Sequence, residues 1–309
     1  MAIEEDRWGI IYNPKAGTRK VQKRWFKIRE YLDERNVAFD YLQSESFKSV
    51  ERLSCMLANN GYRTIVIVGG DGALNDAING IMNSTAQDKE SIALGIIPNG
   101  IGNDYASYWG IDFDDYKKAI DCIINRRLRK VDVGACSYFD GEKHVCRYFL
   151  NAVQIGLGAR VVRISDGTFR FWGTRTLSFY ASMFLLLFER KLYRMHLRIN
   201  DEHVRGRIMA VCIGSARGYG LTPNAVPYNG WLDVSVIYRP ELRQLFSGMW
   251  MLLRGRILNY KILKPYRTKK VLVLRARNAQ VSLDGRILPK YFPLQVSIVH
   301  EAIHFIIPD

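Results

Sequence analysis

The first 110 residues alternate between short apolar runs and amphipathic stretches, which limits the chain to few folds. Strands are predicted at RWGIIYNP, FDYLQSE, residues 63–68 and IALGIIP, and helices at about residues 21–32, 50–60 and 73–82. Strands and helices that alternate in this way form an open parallel sheet with helices on both faces. The sequence therefore predicts an α/β domain at the start of the chain.

From about Val131 the pattern changes to short strands of alternating polarity, separated by turn residues. One of them, RYFLNAVQIG, is predicted to run unbroken over residues 147–156, and helical segments interrupt the pattern near 172–190 and 241–256. The pattern is typical of an antiparallel sandwich. We therefore expect a nucleotide-binding α/β domain over residues 1–130 and a mostly antiparallel β-sandwich domain over 131–309. A return of the last few residues to the first domain is left open.

Three predicted strands of the first domain end in loops rich in Gly, Asn and Asp: IYNPKAG (11–17), VGGDGALN (68–75) and IPNGIGND (97–104). Open parallel sheets bind ligands beyond the carboxyl ends of their strands, so the three loops are expected to border one crevice. Glycines let the backbone approach a ligand closely, and main-chain N–H groups at a helix N-terminus attract phosphate. The loops predict a nucleotide or phosphate site.

The best-known phosphate motifs do not explain this site. Neither G-x-x-x-x-G-K-[ST] nor G-x-G-x-x-G occurs anywhere in the chain. What distinguishes the second loop is a single carboxylate, Asp71, that stands among three glycines, where it has little value for packing.

Several blocks resemble the diacylglycerol kinase catalytic-domain family, which includes bacterial lipid kinases and sphingosine kinases. VGGDGALNDAING (68–80) is similar to its G-G-D-G-T-x-N-E-x-x-N-G block, and IYNPKAG and IPNGIGNDYA are similar to its N-P-x-x-G and P-x-G-T-G-N-D-[FL]-A blocks. In the second domain, NAVQIGLGARV, TPNAVPYNGWLDVSVI and VSLDGRIL resemble further family blocks, in family order. The resemblance implies a lipid kinase that uses ATP and Mg²⁺.

The resemblance also implies a role for each matching position. Asp71 would act in catalysis and bind the metal ion, and Asp284 would be the general base that takes the proton from the lipid hydroxyl. The remaining positions would form the nucleotide site: Asn13, Gly69, Gly70, Gly72, Asn75, Gly102, Asn103 and Asp104. Phosphoryl transfer needs mainly positioning and charge neutralisation, so these parts suffice in principle.

The chain departs from the family pattern at several positions. Two threonine hydroxyls and three acidic groups of the pattern are missing, at Ala73, Ile101, Gly158, Asn229 and Arg286. Magnesium sites depend on few carboxylates, so each loss matters. The alternative to an active kinase is therefore a catalytically impaired family member that binds nucleotide or lipid without phosphoryl transfer.

A formal net charge of +15 indicates a polyanionic partner. Segments 172–190 and 246–270 place aromatic and aliphatic residues beside Lys and Arg, which favours peripheral contact with an anionic membrane surface. The alternative is that both are core helices that cover the β domain, and for residues 179–188 we favour that interpretation. The longest apolar run, residues 179–188, is too short to cross a bilayer. No motif indicates specific nucleic-acid binding, and the oligomeric state stays open, a homodimer included. Five scattered cysteines suggest reduced thiols and a cytoplasmic protein.

The C-terminal HEAIH (300–304) formally satisfies the H-E-x-x-H zinc signature. That motif needs a helix to bring both histidines to one metal ion. The flanking residues predict a strand instead, so we interpret the match as fortuitous.

Overall fold

The computed structural model describes residues 7–12, 19–45, 49–100, 103–161, 191–217, 220–239, 241, 244, 247–248, 250–251, 254 and 256–309. The chain divides into two compact units. Unit 1 is Met1–Val131 with Glu301–Asp309, and unit 2 is Asp132–His300. The predicted helix near 172–190 and much of the one near 241–256 lie outside the described residues.

Unit 1 alternates strands and helices, as the hydrophobic pattern predicts. Its elements are β1 (Trp8–Tyr12), α1 (Arg19–Glu34), β2 (Phe39–Gln43), α2 (Ser49–Asn59), β3 (Thr64–Gly69), α3 (Asp71–Met82), β4 (Ala93–Pro98), α4 (Asp104–Tyr108) and α5 (Tyr116–Asn125). The strands are parallel and lie in the order β2-β1-β3-β4. Strands β1, β3 and β4 are buried along their whole length, which explains their continuous apolar sequences.

Unit 2 is built from antiparallel strands. They are β5 (Leu128–Phe139), β6 (His144–Phe149), β7 (Ala152–Gly156), β8 (Tyr193–Ile199), β9 (Glu202–Gly214), β10 (Leu232–Tyr238), β11 (Leu263–Thr268), β12 (Lys270–Ala276), β13 (Val281–Leu283), β14 (Arg286–Leu288) and β15 (Leu294–Ile306). β5 begins in unit 1, and β15 ends there, where His304 and Phe305 pair in parallel with β4. Alternate residues of β7, β8, β9, β12 and β13 fill one apolar core. The predicted α/β fold followed by a β-sandwich is confirmed.

The structure differs from one predicted strand and agrees with another. The single strand predicted over residues 147–156 is wrong, because β6 ends at Phe149 and β7 begins at Ala152. HEAIH lies within strand β15, as expected, and its two histidines have separate partners: Asp132 for His300 and the carbonyl oxygen of Glu90 for His304. Over the described residues, no group of three or more His, Cys, Asp or Glu is placed to hold a metal ion.

Each helix in the described part of the chain is too short or too polar to cross a bilayer.

Helices α2 and α3 pack with their backbones in close approach at Gly80. A Cβ atom at this position would lie 2.2 Å from the carbonyl oxygen of Glu51 and 2.9 Å from the Cβ of Ser54. The approach explains why a glycine stands inside a helix, where it normally costs about 1 kcal/mol relative to alanine.

Gly80→Ala is therefore expected to destabilise the protein although alanine favours helix formation. The overlap with a neighbouring backbone forces α2 and α3 apart, and overpacking of this kind costs about 1–3 kcal/mol. Urea unfolding should show a lower midpoint. The control Glu30→Ala, at an exposed position of α1, should stay within about 0.5 kcal/mol of the wild-type stability. An unchanged midpoint for Gly80→Ala would contradict the close packing.

Candidate functional site

The strand order of unit 1 places a topological switch between β1 and β3. β1 lies between β2 and β3, so the connections that leave β1 and β3 run to opposite sides of the sheet. Open α/β sheets bind ligands at the carboxyl ends of the strands beside such a switch. The loop after β1, with Asn13, lies outside the described residues, as does Gly102. The loop after β3 is described, and so is the loop after β4 except for residues 101 and 102.

These two loops touch through bare backbone. The N–H group of Asn99 donates to the carbonyl oxygen of Gly69 over 2.8 Å. A Cβ atom on Gly100 would lie only 2.4 Å from the Cα of Gly70, so no larger residue fits at position 100 without moving the loops. Gly70 is also the N-cap of α3 and supplies no side chain to cap it. An uncapped helix N-terminus beside a second glycine-rich loop is typical of phosphate sites.

Asp71 ties the two loops together. The sequence predicts a helix from Ala73, but α3 already begins at Asp71, whose side chain is 7% exposed. Its Oδ2 accepts a hydrogen bond from the N–H of Asp104 at 3.0 Å, and its Oδ1 accepts one from the N–H of Tyr105 at 3.1 Å. The carboxylate therefore caps the N-terminus of α4, the helix that follows β4.

Aromatic packing anchors α4 in unit 1. The buried ring of Tyr105 packs edge-on against Phe305 with centroids 5.1 Å apart, and Trp109 stacks on the same phenyl ring at 6.0 Å. Phe305 belongs to the last part of β15, which pairs with β4. The C-terminal residues thus hold the helix whose first two N–H groups bind Asp71.

The structure brings together five predicted site residues of unit 1. These are Gly69, Gly70, Asp71, Asn103 and Asp104. Gly72 follows Asp71 in the first turn of α3, and Asn75, one turn further along, is buried and accepts a hydrogen bond from the Nδ2 of Asn79 through its carbonyl oxygen at 2.8 Å.

The donor set of this region fits the phosphates of a nucleotide. The Nδ2 of Asn103 donates one of its two hydrogens to the carbonyl oxygen of Gly100 and keeps the other for a phosphate oxygen. Its Oδ1, buried without a hydrogen-bond partner in the described structure, is an acceptor that suits a hydroxyl group or a metal ion. The glycines keep the backbone accessible beside it. Asp71 supplies a carboxylate between these loops that could bind Mg²⁺. This ion usually takes one or two protein carboxylates and keeps several waters.

Asp284 lies in unit 2 and holds the break between β6 and β7. It is 4% exposed, and its carboxylate accepts hydrogen bonds from the N–H groups of Leu150 (2.7 Å), Asn151 (3.0 Å) and Ala152 (2.8 Å). Asp284 and Gly285 both have positive φ, 45° and 85°, and they connect β13 to β14 as a tight hairpin turn. A turn residue that served only the hairpin would have no need of a buried carboxylate.

Gln154 was not predicted as a site residue. It is 1% exposed on β7, and both amide atoms are buried without hydrogen-bond partners in the described part of the chain. A Cβ atom on Gly158 would lie 2.7 Å from its Oε1, so the Gln154 amide fills space where the family pattern has an aspartate side chain. A polar residue inside an apolar strand, NAVQIG, was the available sequence signal.

Gln154 lies in a row of buried polar side chains across four strands. The register aligns Ser282, Gln154, Cys212 and Ser235 on β13, β7, β9 and β10. Burial raises the pKa of the Cys212 thiol to about 12, so this thiol is not a nucleophile. Next to the row, burial raises the pKa of Asp233 despite Arg267, whose Nε lies 3.4 Å from its Oδ1. Within the row, the Oγ of Ser235 already donates to the carbonyl oxygen of Leu221 at 2.6 Å, whereas the Gln154 amide has both polar atoms open to a ligand in the described structure.

Comparisons with known proteins agree with this description. Residues 7–136 match the family model described as diacylglycerol kinase catalytic domain, and residues 151–307 match the one described as YegS C-terminal NAD kinase beta sandwich-like domain.

Curated relatives cover most of the chain. A diacylglycerol kinase of Staphylococcus saprophyticus is 26% identical, and the match covers 89% of this chain and 87% of the relative. A diacylglycerol kinase of Bacillus subtilis is 23% identical, with 97% and 95% covered. A crystal structure described as a diacylglycerol kinase from Bacillus anthracis covers 98% of this chain and 97% of its own, with a TM-score of 0.70 at 18% identity, which is a likeness of fold.

Proposed function

Because the chain belongs to the diacylglycerol kinase catalytic-domain family, we propose that it is an ATP-dependent lipid kinase, which transfers the γ-phosphate of ATP to a lipid hydroxyl group. The relatives named diacylglycerol kinase support a kinase that acts on lipid. The substrate is then diacylglycerol-like, with a sphingoid lipid as the second choice.

One observation carries the proposal for the nucleotide half. The Asp71 carboxylate fixes the glycine-rich end of β3 to the start of α4, at the switch point of a parallel sheet. In the proposed site, the backbone at Gly69 and Gly70 and the amide of Asn103 contact the phosphates, and Asp71 contributes to the metal site. Bound Mg²⁺ would neutralise charge on the phosphate oxygens during transfer.

The proposed role of Asp284 is that of general base for the lipid hydroxyl. Three N–H donors fix its carboxylate in place. A carboxylate fixed by main-chain donors is held in position to take the proton of a substrate hydroxyl.

We place the protein in the cytoplasm, at the surface of an anionic membrane where its lipid substrate resides. The net charge of +15 and five free cysteines support this proposal. The segments that suggest membrane contact in the sequence, 172–190 and much of 246–270, lie outside the described residues.

The test is a phosphoryl-transfer assay with labelled ATP and Mg²⁺ over diacylglycerol, sphingoid bases, ceramide and phosphatidylglycerol in mixed micelles. Labelled lipid is the expected result, and the lipid that carries the label names the substrate. ATP binding by calorimetry without any labelled lipid would overturn the kinase proposal. It would favour the impaired member that the substitutions at Ala73, Ile101, Gly158, Asn229 and Arg286 raise as the alternative.

A further inference from the structure

Three adjacent strands of unit 2 present a strongly basic surface. β8 lies between β9 and β12 in the sheet, and one face of all three strands fills the apolar core. The opposite face is outward, and its alternate positions carry exposed cations. They are Arg194, Arg198, Arg205, Arg207, Lys270 and Arg275, together called the basic face.

The register of the basic face sets like charges against each other. Arg194 pairs directly with Arg207 across β8 and β9, although like charges at opposite positions destabilise a sheet. None of the six side chains forms an ion pair with a carboxylate in the described part of the chain. Six exposed cations without acidic partners therefore create a region of positive potential that attracts a polyanion.

Two histidines, His196 and His203, lie within the basic face, and loss of solvation and the neighbouring positive charge affect the pKa of His196. The Nε of Arg205 donates to the Nε2 of His196 at 2.9 Å, and this nitrogen also lies 3.0 Å from the Nδ1 of His203. Loss of solvation, then the charges of Arg205 and His203, lower the pKa of His196. The histidine is affected as expected for a site of positive potential.

A cavity of about 370 Å³ opens beside the basic face. It is lined by three cations, an aromatic ring, two polar residues and one leucine: Arg198, Lys269, Lys270, Trp231, Asn200, Thr268 and Leu272. Among the residues that the structure describes, no acidic side chain lines the cavity. The Lys269 ammonium lies 5.2 Å from the centroid of the Trp231 ring. Trp231 is 40% exposed. Trp beside cations is typical of the interface between a membrane and water.

We propose that the basic face docks on the surface of an anionic phospholipid bilayer and that the adjoining cavity takes the phosphate headgroup of one lipid. A bilayer offers negative charge in two dimensions, which matches cations spread over three strands. Proteins that bind single-stranded nucleic acid stack bases on aromatic rings between their cations. Trp231 lines the cavity, whereas the outward positions of the paired region of β8, β9 and β12 hold Arg, Lys, His and Leu, so the basic face lacks a series of rings on which successive bases could stack.

The inference extends the proposed membrane association to a defined surface, and its test uses neither ATP nor product. Co-sedimentation of the full chain with vesicles of phosphatidylglycerol and phosphatidylcholine is compared with pure phosphatidylcholine. Arg205→Glu combined with Arg207→Glu should weaken partition onto the anionic vesicles at least about tenfold. The variant should fold, because position 207 then faces Arg194 with opposite charge.

The matched control changes the net charge equally elsewhere. Lys27→Glu combined with Lys118→Glu reverses exposed lysines of α1 and α5 in unit 1 and should keep most of the vesicle binding. If both double variants lose vesicle binding equally, net charge alone explains the binding, and the proposal is overturned. Absence of wild-type binding to the anionic vesicles at low salt would also overturn the proposal. A third contradicting result is a single-stranded oligonucleotide that displaces the vesicles from the wild type and binds the Arg205/Arg207 variant more weakly.

A separate experiment tests the cavity. Lys269→Ala and Trp231→Ala should each weaken binding to the anionic vesicles several-fold, while inorganic phosphate at millimolar concentration should leave vesicle binding unchanged. Displacement by inorganic phosphate alone would show that the cavity takes free phosphate and would overturn the headgroup assignment. Kinase activity on lipid in mixed micelles is measured on the same variants, so a failure of docking is separated from a failure of the proposed function.

Discussion

Asp71→Asn is expected to lower lipid phosphorylation at least about 100-fold, as the loss of one preorganised electrostatic group in an active site commonly does. The carboxylate accepts N–H groups from Asp104 and Tyr105 and carries the negative charge proposed for the metal site. An amide keeps one oxygen acceptor, but its NH₂ group faces a main-chain donor, so the loops after β3 and β4 no longer meet correctly.

Asp115 provides the matched control for the capping role. It is the N-cap of α5, and its carboxylate accepts the N–H of Lys118 at 2.9 Å at an exposed site in the same unit. Asp115→Ala should lose a comparable cap, about 1 kcal/mol, and keep its kinase activity.

Magnesium dependence separates the two roles of Asp71. If the carboxylate contributes to the metal site, the residual activity of Asp71→Asn should need more Mg²⁺ for half-saturation than the wild type. Near-normal activity, or an equal loss in Asp115→Ala, would show that Asp71 does no more than cap α4.

Much of unit 1 can be predicted from the sequence. The buried strands β1, β3 and β4 begin or end within two residues of the predicted bounds, because continuous apolar runs end abruptly at Gly, Asn or Pro. The start of α3 is two residues earlier than predicted, at Asp71 instead of Ala73. The glycines on both sides of Asp71 conceal the helix start, since glycine is a poor helix former.

Contacts between residues that are distant along the chain could not be predicted from the sequence. The hydrogen bonds of Asp71 reach residues 33 and 34 positions further along the chain. The two strands at 147–156 look like one because their apolar alternation continues through Leu150 and Asn151. The break comes from a carboxylate more than 130 residues away, at Asp284.

The same limit applies to the surface. The cations of the basic face are separated in sequence and read as ordinary exposed strand residues, each alternating with a core residue. Only the register that aligns β8 with β9 and β12 shows them as one field. Net charge predicts an anionic partner, whereas strand pairing decides where the charge is concentrated.

Asp284→Ala should affect stability and catalysis together, and this is the second large effect that we expect. Three buried N–H groups, of Leu150, Asn151 and Ala152, lose their acceptor. An unsatisfied buried donor costs about 1–3 kcal/mol, so the free energy of unfolding should fall by about 3 kcal/mol or more. If Asp284 is also the general base, transfer to lipid should fall about 100-fold to 10,000-fold.

Asp132 separates these two effects, because it is a buried carboxylate of the same unit that the sequence does not predict to be a site residue. It is 0% exposed, accepts the N–H of Gly230 at 2.6 Å and lies 2.6 Å from the Nδ1 of His300. Asp132→Ala should lower the unfolding midpoint to a similar degree, and at a temperature where both variants are folded it should keep most of its activity.

The pH–rate profile completes the test, with Asp284→Asn as the variant closest in size to the wild type. A general base must be ionised, so the wild-type kcat/KM should fall towards acid pH as the base is protonated. The residual activity of Asp284→Asn should lack that acid limb, whereas Asp132→Ala should keep it. Retention of the limb in Asp284→Asn, with losses of activity and stability that match those of Asp132→Ala, would assign Asp284 to the fold alone.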